Sequence, residues 1–222
     1  MTGRLRQPTG RYGGRSAEDR QAERRRRFLA AGLQLFGDGP GYRATTVAAL
    51  CEAAGLSSRQ FYEEFRTLED VLAALHLQVN DWAEEAALAA LADADGLPVG
   101  ERAAAVFGAY AAHVTGDRRR LRITFVEIIG VSPRLERQRL ARRSRWVDLL
   151  CAEAAAAVER GEAVPRDYRV AAAAFIGGVN GLLHDWAEGW VDATLDEVVA
   201  ELVRILLGIL DGPRTSPAAA KR

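Results

Sequence analysis

The chain has 222 residues, of which 49% are hydrophobic and 27% charged, a composition typical of a globular protein with an ordinary core. Thirty basic residues balance thirty acidic ones, which excludes a polycationic tail protein. The charges are unevenly distributed, because residues 1–66 contain 12 Arg against 7 Asp and Glu, whereas residues 67–222 contain 18 Lys and Arg against 23 acids. A basic front indicates contact with a polyanion, and chance patchiness is the alternative.

The amino-acid sequence predicts neither a membrane span nor a metal site. No run of 18 apolar residues predicts a membrane span, and the polar N-terminus lacks a signal-peptide core, so we expect a cytoplasmic protein without membrane contact. Cys51 and Cys151 are too few and too distant for a disulfide framework or a zinc site, and both suit small buried thiols. We expect no metal and no cofactor.

The N-terminal part of the chain divides into an arm and a first helix. Residues 1–16 mix Gly, Pro, Thr and Arg with few apolar side chains, which predicts a disordered basic arm. From about Ala17 the pattern is helical, and an apolar stripe runs from Phe28 to Phe36. The glycine-rich stretch at residues 37–41 ends this helix.

Two short helices are expected next. The second helix begins at Thr46 and runs to about Ala54. Gly55 suits the left-handed residue that commonly follows a helix, and Ser57 is a good N-cap for a third helix that reaches about Phe65.

The remaining chain is helical throughout. Thr67 with Asp70 resembles a capping box and opens a long helix that reaches about residue 92. Further helices are predicted at about residues 100–115, 119–129, 133–160, 167–187 and 195–210. Ser132 is the expected N-cap of the helix at residues 133–160, and Pro133 is its first residue. No strand-like alternation competes, so the predicted fold class is all-α, with a flexible tail at residues 212–222.

Residues 45–65, TTVAALCEAAGLSSRQFYEEF, form two short helices around a tight turn. Such a helix-turn-helix can place its second helix in the major groove of DNA, which is wide enough for one α-helix. Arg59 and Gln60 on that helix have side chains that can pair with guanine and adenine, respectively.

This stretch and its flanks resemble the TetR family of transcriptional regulators over about residues 24–75. The matching segments are LQLFGDGPGYRATTV, AALCEAAGLSSRQFYEEF and TLEDVLAAL. Beyond them, only the all-helical layout and the total length are similar. The agreement holds at Phe36, Gly41, Thr45, Thr46, Val47, Ala54, Gly55, Leu56, Ser57, Tyr62, Phe65, Glu69 and Leu72.

The resemblance implies a three-helix DNA-binding domain at residues 17–66 and a ligand-sensing, dimerising domain at residues 67–211. The third helix would be the recognition helix and would contact double-stranded operator DNA, with Tyr62 and Thr46 holding phosphates. The implied DNA contacts are Arg43, Thr45, Thr46, Ser57, Ser58, Arg59, Gln60 and Tyr62, with Arg11 and Arg15 of the arm.

The chain departs from the family at two positions near the DNA. Members often carry a basic residue or His where Glu64 stands and Lys where Leu68 stands. This protein is therefore expected to lack some of the contacts with DNA phosphates that are usual in the family. The arm and the run Arg24–Arg27 could supply the missing charge, by minor-groove insertion or as a non-specific electrostatic tail.

The last two helices of the family form a four-helix dimer interface, which implies a homodimer here. The alternative is that both helices simply bury against the core. Gly177, Gly178 and Gly181 would permit close backbone approach. The expected interface residues are Phe175, Gly178, Val179, Leu182, Trp186, Val198, Leu202, Ile205, Leu206 and Ile209.

The resemblance also implies a ligand cavity among the helices at residues 67–160, for an unidentified small and largely apolar ligand. The alternative for each aromatic is a core position, and for Glu127 a structural salt bridge or an exposed site. An arginine cluster from Arg118 to Arg145 could bind an anionic ligand such as an acyl-coenzyme A thioester, although a solvated helix face is the favoured interpretation. The candidate ligand contacts are His76, Trp82, Phe107, Tyr110, His113, Phe125, Glu127, Trp146 and Asn180.

These features predict a sequence-specific transcriptional regulator, a ligand-responsive repressor that acts as a homodimer on a palindromic operator. An activator and a regulator without a small ligand are the alternatives. A helical enzyme is the contrasting class. No nucleophile–base motif, metal-spaced cluster or phosphate-binding glycine loop supports it, and His76, His113 and His184 have spacings that indicate no shared site.

Overall fold

The computed structural model describes residues 16–211. The predictions for the arm, with Arg11 and Arg15, and for the tail at residues 212–222 therefore lie outside the described residues. Within the described part the chain is all-helical, as predicted. The helices are α1 (Ala17–Gly37), α2 (Val47–Ala54), α3 (Ser58–Glu64), α4 (Leu68–Asp93), α5 (Val99–Thr115), α6 (Arg118–Arg122), α7 (Pro133–Glu159), α8 (Arg169–Ala187) and α9 (Leu195–Asp211).

Two short segments depart from regular α-helix. A single 3₁₀ turn, Tyr42–Ala44, connects α1 to α2. A π-helical turn, Ile123–Glu127, continues α6 without a break, so the predicted helix at residues 119–129 is a short α-helix followed by this turn. Wider π turns inside helices are rare and are frequently found at functional sites.

Side-chain caps explain why several helices begin where they do. Thr67 and Asp70 form the predicted capping box at the start of α4, each side chain bonding to the other's backbone N–H. Ser57 and Gln60 form a second box at the start of α3. Ser132 caps α7, whose first residue is a proline, as predicted. Each cap satisfies helix N–H groups that have no partner within the helix.

The core of the DNA-binding helices is aromatic. Phe28 of α1 is fully buried and packs edge-on against Phe61 and Phe65, at centroid distances of 5.6 and 6.2 Å. Such aromatic pairs stabilise by about 0.5–1.5 kcal/mol beyond the burial of their area. The same core continues past the expected boundary at residue 66, through buried Leu72, Leu75, Ile123, Ile128 and Leu135. The head formed by α1–α3 is thus packed directly onto α4, the π turn and α7.

A second core occupies the larger domain and is formed by α4, α5, α7, α8 and α9. Val114, Leu183 and Leu206 are among its buried members. The predicted burial of the Cys51 thiol is confirmed, whereas Cys151 is half-buried. Among the helices of residues 16–211, none is both long enough and apolar enough to cross a lipid bilayer.

The end of α1 contacts the start of α6 at Gly37. A Cβ at this position would lie 2.5 Å from Cβ and 2.6 Å from Cα of Arg119. The close approach therefore requires glycine, because the atoms that a side chain would meet include backbone of α6.

We expect Gly37→Ala to destabilise the protein by about 1–3 kcal/mol, since α1 and α6 must separate to accept the methyl group. Gly108→Ala is the matched control, because Gly108 is also helical but its Cβ would meet no atom within 4 Å. The control should stabilise by up to about 1 kcal/mol through helix propensity. Urea unfolding of the three proteins measures both, and equal stability of the two variants would contradict the tight α1–α6 contact.

Candidate DNA interface and ligand cavity

Helix α3 presents a polar surface on the side opposite Phe61. Its Ser58 and Arg59 are exposed, with 89% of the Arg59 side chain accessible. Tyr62 is 62% exposed and its ring lies edge-on against Phe61. These three side chains are free to reach a DNA groove or phosphate from a helix anchored by its buried aromatic. Arg59 contacts Glu63, Nε to Oε1 at 3.3 Å, and would exchange this partner for a base or phosphate.

The turn before α3 has the geometry that the sequence predicts. Gly55 adopts the left-handed conformation, with φ 62° and ψ 39°. Its carbonyl accepts a hydrogen bond from Arg27 Nη2 at 3.1 Å, and a Cβ on Gly55 would lie 2.7 Å from that same atom. The left-handed backbone angles favour glycine here, whereas the Arg27 guanidinium, at the end of a flexible side chain, could shift to accept a Cβ.

Two expected DNA contacts have structural roles. Thr45 is buried, and its hydroxyl donates to the Gly41 carbonyl at 2.8 Å, so the prediction of a DNA contact by its side chain is wrong. Gln60 Oε1 accepts hydrogen bonds from Ser57 N and Oγ at 2.9 and 3.0 Å. Bidentate pairing with adenine would require the Gln60 amide to leave this cap, so its DNA contact stays a prediction.

The other expected contacts around α2 remain accessible. Thr46 is exposed and caps α2, where the free N–H groups of the helix end can bind a phosphate. Arg43 is exposed, but its Nη2 donates to the Gly130 carbonyl at 3.0 Å, which ties it to the larger domain. Ser57 is exposed at the start of α3 with its hydroxyl used in the capping box.

The four arginines in the run at residues 24–27 of α1 all make contacts with other residues of the same chain. Arg24 pairs with Glu64, whose side chain is only 1% exposed, at 3.0 Å. Arg25 stacks over the Phe65 ring at 4.5 Å, and Arg26 pairs with Glu23. Glu64 therefore faces α1 and not the exposed surface of α3. Arg24 and Arg26 are paired with carboxylates, whereas Arg25 lies over a ring and Arg27 donates to a carbonyl, so within residues 16–211 these two keep an unneutralised charge.

An apolar chamber lies between α5, α7, α8 and α9. Including its open mouth it has a volume of about 830 Å³. Among the side chains that line it are Val106, Phe107, Leu150, Ile176 and Leu206, with Arg102 and Glu153 paired at 2.6 Å in its wall. A chamber with this apolar lining suits the apolar part of a small ligand.

A polar chamber of about 460 Å³ adjoins the apolar one. Tyr110, Trp146 and Asn180 line both chambers, and the Tyr110 and Trp146 rings pack edge-on at 5.1 Å. Burial raises the pKa of the Tyr110 hydroxyl and, with help from Arg142 and Arg139, lowers the pKa of His76 to about 4. Both groups are therefore neutral near pH 7. The remaining lining residues include Asn80, Thr124, Phe125, Arg139, Arg142 and Arg143.

Six of the nine expected ligand contacts line one or both chambers: His76, Phe107, Tyr110, Phe125, Trp146 and Asn180. The structure does not place the other three there. Trp82 is 40% exposed and lies outside both chambers, with the His113 ring 6.1 Å away and Arg120 over its face. Glu127 lies at the contact between the two domains. Trp82, His113 and Glu127 therefore lie outside these two chambers. Helical periodicity does not distinguish one side of a packed helix from another.

The arginines of the polar chamber differ from the solvated helix face that was the favoured interpretation of the cluster from Arg118 to Arg145. Arg142 is buried and contacts both Asp81 and Glu84, so this part of the cluster is not a solvated helix face. The sequence did not identify Asn80 as a lining residue of the polar chamber or Gln138 as the partner of His76. A single polar residue on an amphipathic helix gives no indication of which neighbour it faces.

Glu127 connects the π turn to the head. Its Oε2 accepts the Tyr42 backbone N–H at 2.9 Å, and its Oε1 accepts a hydrogen bond from Arg122 Nη2 at 2.7 Å. In the same turn, Thr124 and Phe125 line the polar chamber. One five-residue turn therefore touches both the cavity and the segment that leads into the helix-turn-helix.

The outer face of α8 and α9 differs from the expected interface. Phe175, Val179, Val198, Leu202 and Leu206 are buried within the single chain, which agrees with the alternative that these helices pack against the core. Leu182, Trp186 and Ile209 are partly buried. Exposed apolar and small positions include Val170, Ala174, Gly178 and Gly181 on α8, and Ala200, Ile205 and Gly208 on α9, beside exposed charged side chains such as Asp185 and Glu201.

Residues 28–75 match the family described as bacterial regulatory proteins, tetR family, a span that includes all of α2 and α3. No curated protein matches the chain. The fold is similar to that of a transcriptional regulator FadR from Bacillus subtilis in complex with stearoyl-CoA, with a TM-score of 0.70 and 17% identity over 82% of this chain and 97% of that one.

Two further solved structures are similar along almost their whole length. AibR in complex with isovaleryl coenzyme A and operator DNA has a TM-score of 0.63 and 22% identity, covering 83% of this chain and 98% of its own. A transcriptional regulator of the TetR/AcrR family from Thermobifida fusca YX-ER1 has a TM-score of 0.64 and 25% identity, covering 84% and 97%.

We expect Arg59→Ala to weaken binding to a specific site by about 1–3 kcal/mol, because a base-reading arginine loses its hydrogen bonds. Arg160→Ala, at the C-terminal end of α7, is the control for loss of one positive charge. Fluorescence anisotropy with specific and random duplexes gives both affinities. An equal loss on the two duplexes would leave Arg59 with a phosphate contact only.

We expect Glu127→Ala to lower the free energy of unfolding by about 1.5–3 kcal/mol, since two hydrogen bonds to a charged group are lost at the domain contact. The control is Glu136→Ala, which breaks the more exposed pair with Arg139 and should cost less than about 1 kcal/mol. Chemical denaturation measures both variants. A smaller loss for Glu127→Ala than for the control would show that the junction does not depend on this carboxylate.

Proposed function

We propose that this chain, which belongs to the TetR family of bacterial regulatory proteins, is a ligand-responsive repressor that binds a palindromic operator as a homodimer. The observation that carries the proposal is a helix-turn-helix with an exposed Arg59 and Tyr62, packed onto a domain that contains a cavity. Such a regulator acts on DNA in the cytoplasm.

A two-fold dimer is the expected way for a single recognition helix to gain specificity. One α3 reaches few base pairs, whereas two heads related by a two-fold axis read two half-sites one helical turn apart or a multiple of it. The open face of α8 and α9 supports a partner helix at close range. A Cβ added at Gly178 or Gly181 would have no atom of the same chain within 4 Å, so these positions leave room for the backbone of a second chain.

The effector is a small molecule with a largely apolar body. The chamber between α5, α7, α8 and α9 supports this, because its lining is almost entirely hydrocarbon. Two proteins of similar fold were solved with acyl-coenzyme A compounds, stearoyl-CoA and isovaleryl coenzyme A. These neighbours support an acyl compound among the classes to test first.

The π turn is the proposed route from the cavity to DNA. Thr124 and Phe125 line the polar chamber, and the Phe125 carbonyl lies 2.6 Å from His184 Nδ1 of α8. Two residues later, Glu127 holds the Tyr42 N–H. A ligand that shifts this turn would move Tyr42 and the start of α2, and would change the spacing of the two heads. Operator and ligand then favour different arrangements, which is the thermodynamic requirement for allostery.

The function is tested with the promoter DNA that lies beside the gene encoding this chain. The purified protein should retard that fragment with a steep decrease in affinity as salt rises, because phosphate contacts release counterions. Deletion of the gene should raise transcription from the promoter. A fall in transcription would identify an activator instead, and failure to bind any genomic fragment would contradict the proposed function.

We expect Gly178→Arg to convert the dimer to monomers, because the long side chain has space in the single chain but not between two packed α8 helices. Operator binding should lose its cooperativity and weaken at least tenfold. Ala104→Arg, at an exposed position of α5, is the control for an added arginine. Sedimentation velocity gives the oligomeric state, and a dimeric Gly178→Arg protein would contradict an interface at this face.

A further inference from the structure

The polar chamber indicates which polar group the ligand has, whereas the apolar chamber indicates only a hydrocarbon part. Tyr110, Trp146 and Asn180 line both chambers, so the two spaces adjoin at these residues. The inference below rests on the proposed function, in which this cavity binds the effector. The question is which chemical group the polar walls recognise, and it depends on the direction of each hydrogen bond.

His76 presents a donor to the polar chamber. Gln138 Nε2 donates to the Ala73 carbonyl at 3.0 Å, and a carbonyl can only accept, so the orientation of the Gln138 amide is determined. The same Nε2 lies 3.1 Å from His76 Nδ1, which must then accept. The neutral His76 ring therefore carries its proton on Nε2. No residue between 16 and 211 accepts a hydrogen bond from this Nε2–H.

Tyr110 presents a second donor where the two chambers meet. The residue is 9% exposed, and burial raises the pKa of its hydroxyl, so the proton is retained. Within the described chain the hydroxyl has no hydrogen-bond partner, and the ring is held by its contact with Trp146. A buried hydroxyl without a partner is costly unless a ligand or water satisfies it.

Arg143 supplies a positive charge that no carboxylate of the described residues neutralises. Arg139 pairs with Glu136, and Arg142 pairs with two acids, but Arg143 donates only to the Ala173 carbonyl, at 2.8 Å. The guanidinium lies over Gly177 of α8, where an added Cβ would be 2.8 Å from Nη2. The missing side chain at Gly177 therefore makes room for Arg143 at the chamber wall.

We propose that the polar chamber binds the acyl head of the ligand, a carboxylate or thioester carbonyl, while the hydrocarbon chain fills the apolar chamber. His76 Nε2–H and the Tyr110 hydroxyl donate to the acyl oxygen atoms, and Arg143 contributes its unpaired charge. The walls offer donors and positive charge, so they bind an acceptor head and disfavour an ammonium head of the same length. A free fatty acid and an acyl thioester share this chemistry.

Isothermal titration calorimetry of the full-length protein with decanoate, decanoyl-CoA and decylamine tests the proposal. We expect at least one acyl compound to bind at least tenfold more tightly than decylamine. Tyr110→Phe and Arg143→Gln should each weaken that binding about tenfold, which is the size expected for one lost hydrogen bond to a charged or polar head. Arg145→Gln, on α7 but outside both chambers, should bind like the unmodified protein. Thermal unfolding of each variant verifies that it is folded.

The outcomes distinguish a failure of the acyl-head assignment from a failure of the proposed function. Binding of decanoate alone or of decanoyl-CoA alone supports the proposal and identifies the source of the acyl head. Equal binding of decylamine, or unchanged binding in both folded chamber variants, overturns it. Promoter binding by the same samples without ligand tests the proposed function separately. Acyl binding with no effect on promoter affinity would preserve the inference and contradict ligand-responsive regulation.

Discussion

The attachment of the DNA-binding head to the larger domain depends on the Glu127 carboxylate. This group accepts the Tyr42 backbone N–H from the head and pairs with Arg122 of its own domain. Around it, the apolar core runs without interruption from Phe28 and Phe36 to Ile123 and Ile128. In the proposed mechanism, the head moves with the π turn because a charged contact and a shared core join them, and packed side chains shift as units.

The arginines of the chain perform three different tasks, and position in the fold decides which. Those of α1 hold α2 and α3 in place, as Arg27 does at the Gly55 carbonyl. Arg59 points outward and remains available to DNA. Arg142 and Arg143 lie at an internal chamber, one neutralised and the other not. The ion pairs of Arg24 with Glu64 and of Arg59 with Glu63 both lie within the first 66 residues, so they leave the net positive charge of that segment unchanged.

Local signals in the sequence predicted local structure well. The caps at Ser57, Thr67 and Ser132 and the left-handed Gly55 lie where expected, because each depends on residues within one turn. The errors concern which way a side chain faces. Thr45 has the polarity of a DNA contact, but it is buried and closes a turn. For Trp82 and Glu127, an apolar stripe contains no information about which neighbouring helix covers it.

The all-helical fold, the helix-turn-helix and the resemblance to a family could be predicted from the amino-acid sequence, because periodicity, caps and turn residues act over a few positions. The contacts between residues far apart in the chain could not. The fold brings Glu127 to Tyr42 and Gln138 to His76. It also buries Val179 and Leu206 in the core of the single chain. The physical reason is that such contacts arise from the packing angles of whole helices, which depend on all the side chains between them at once.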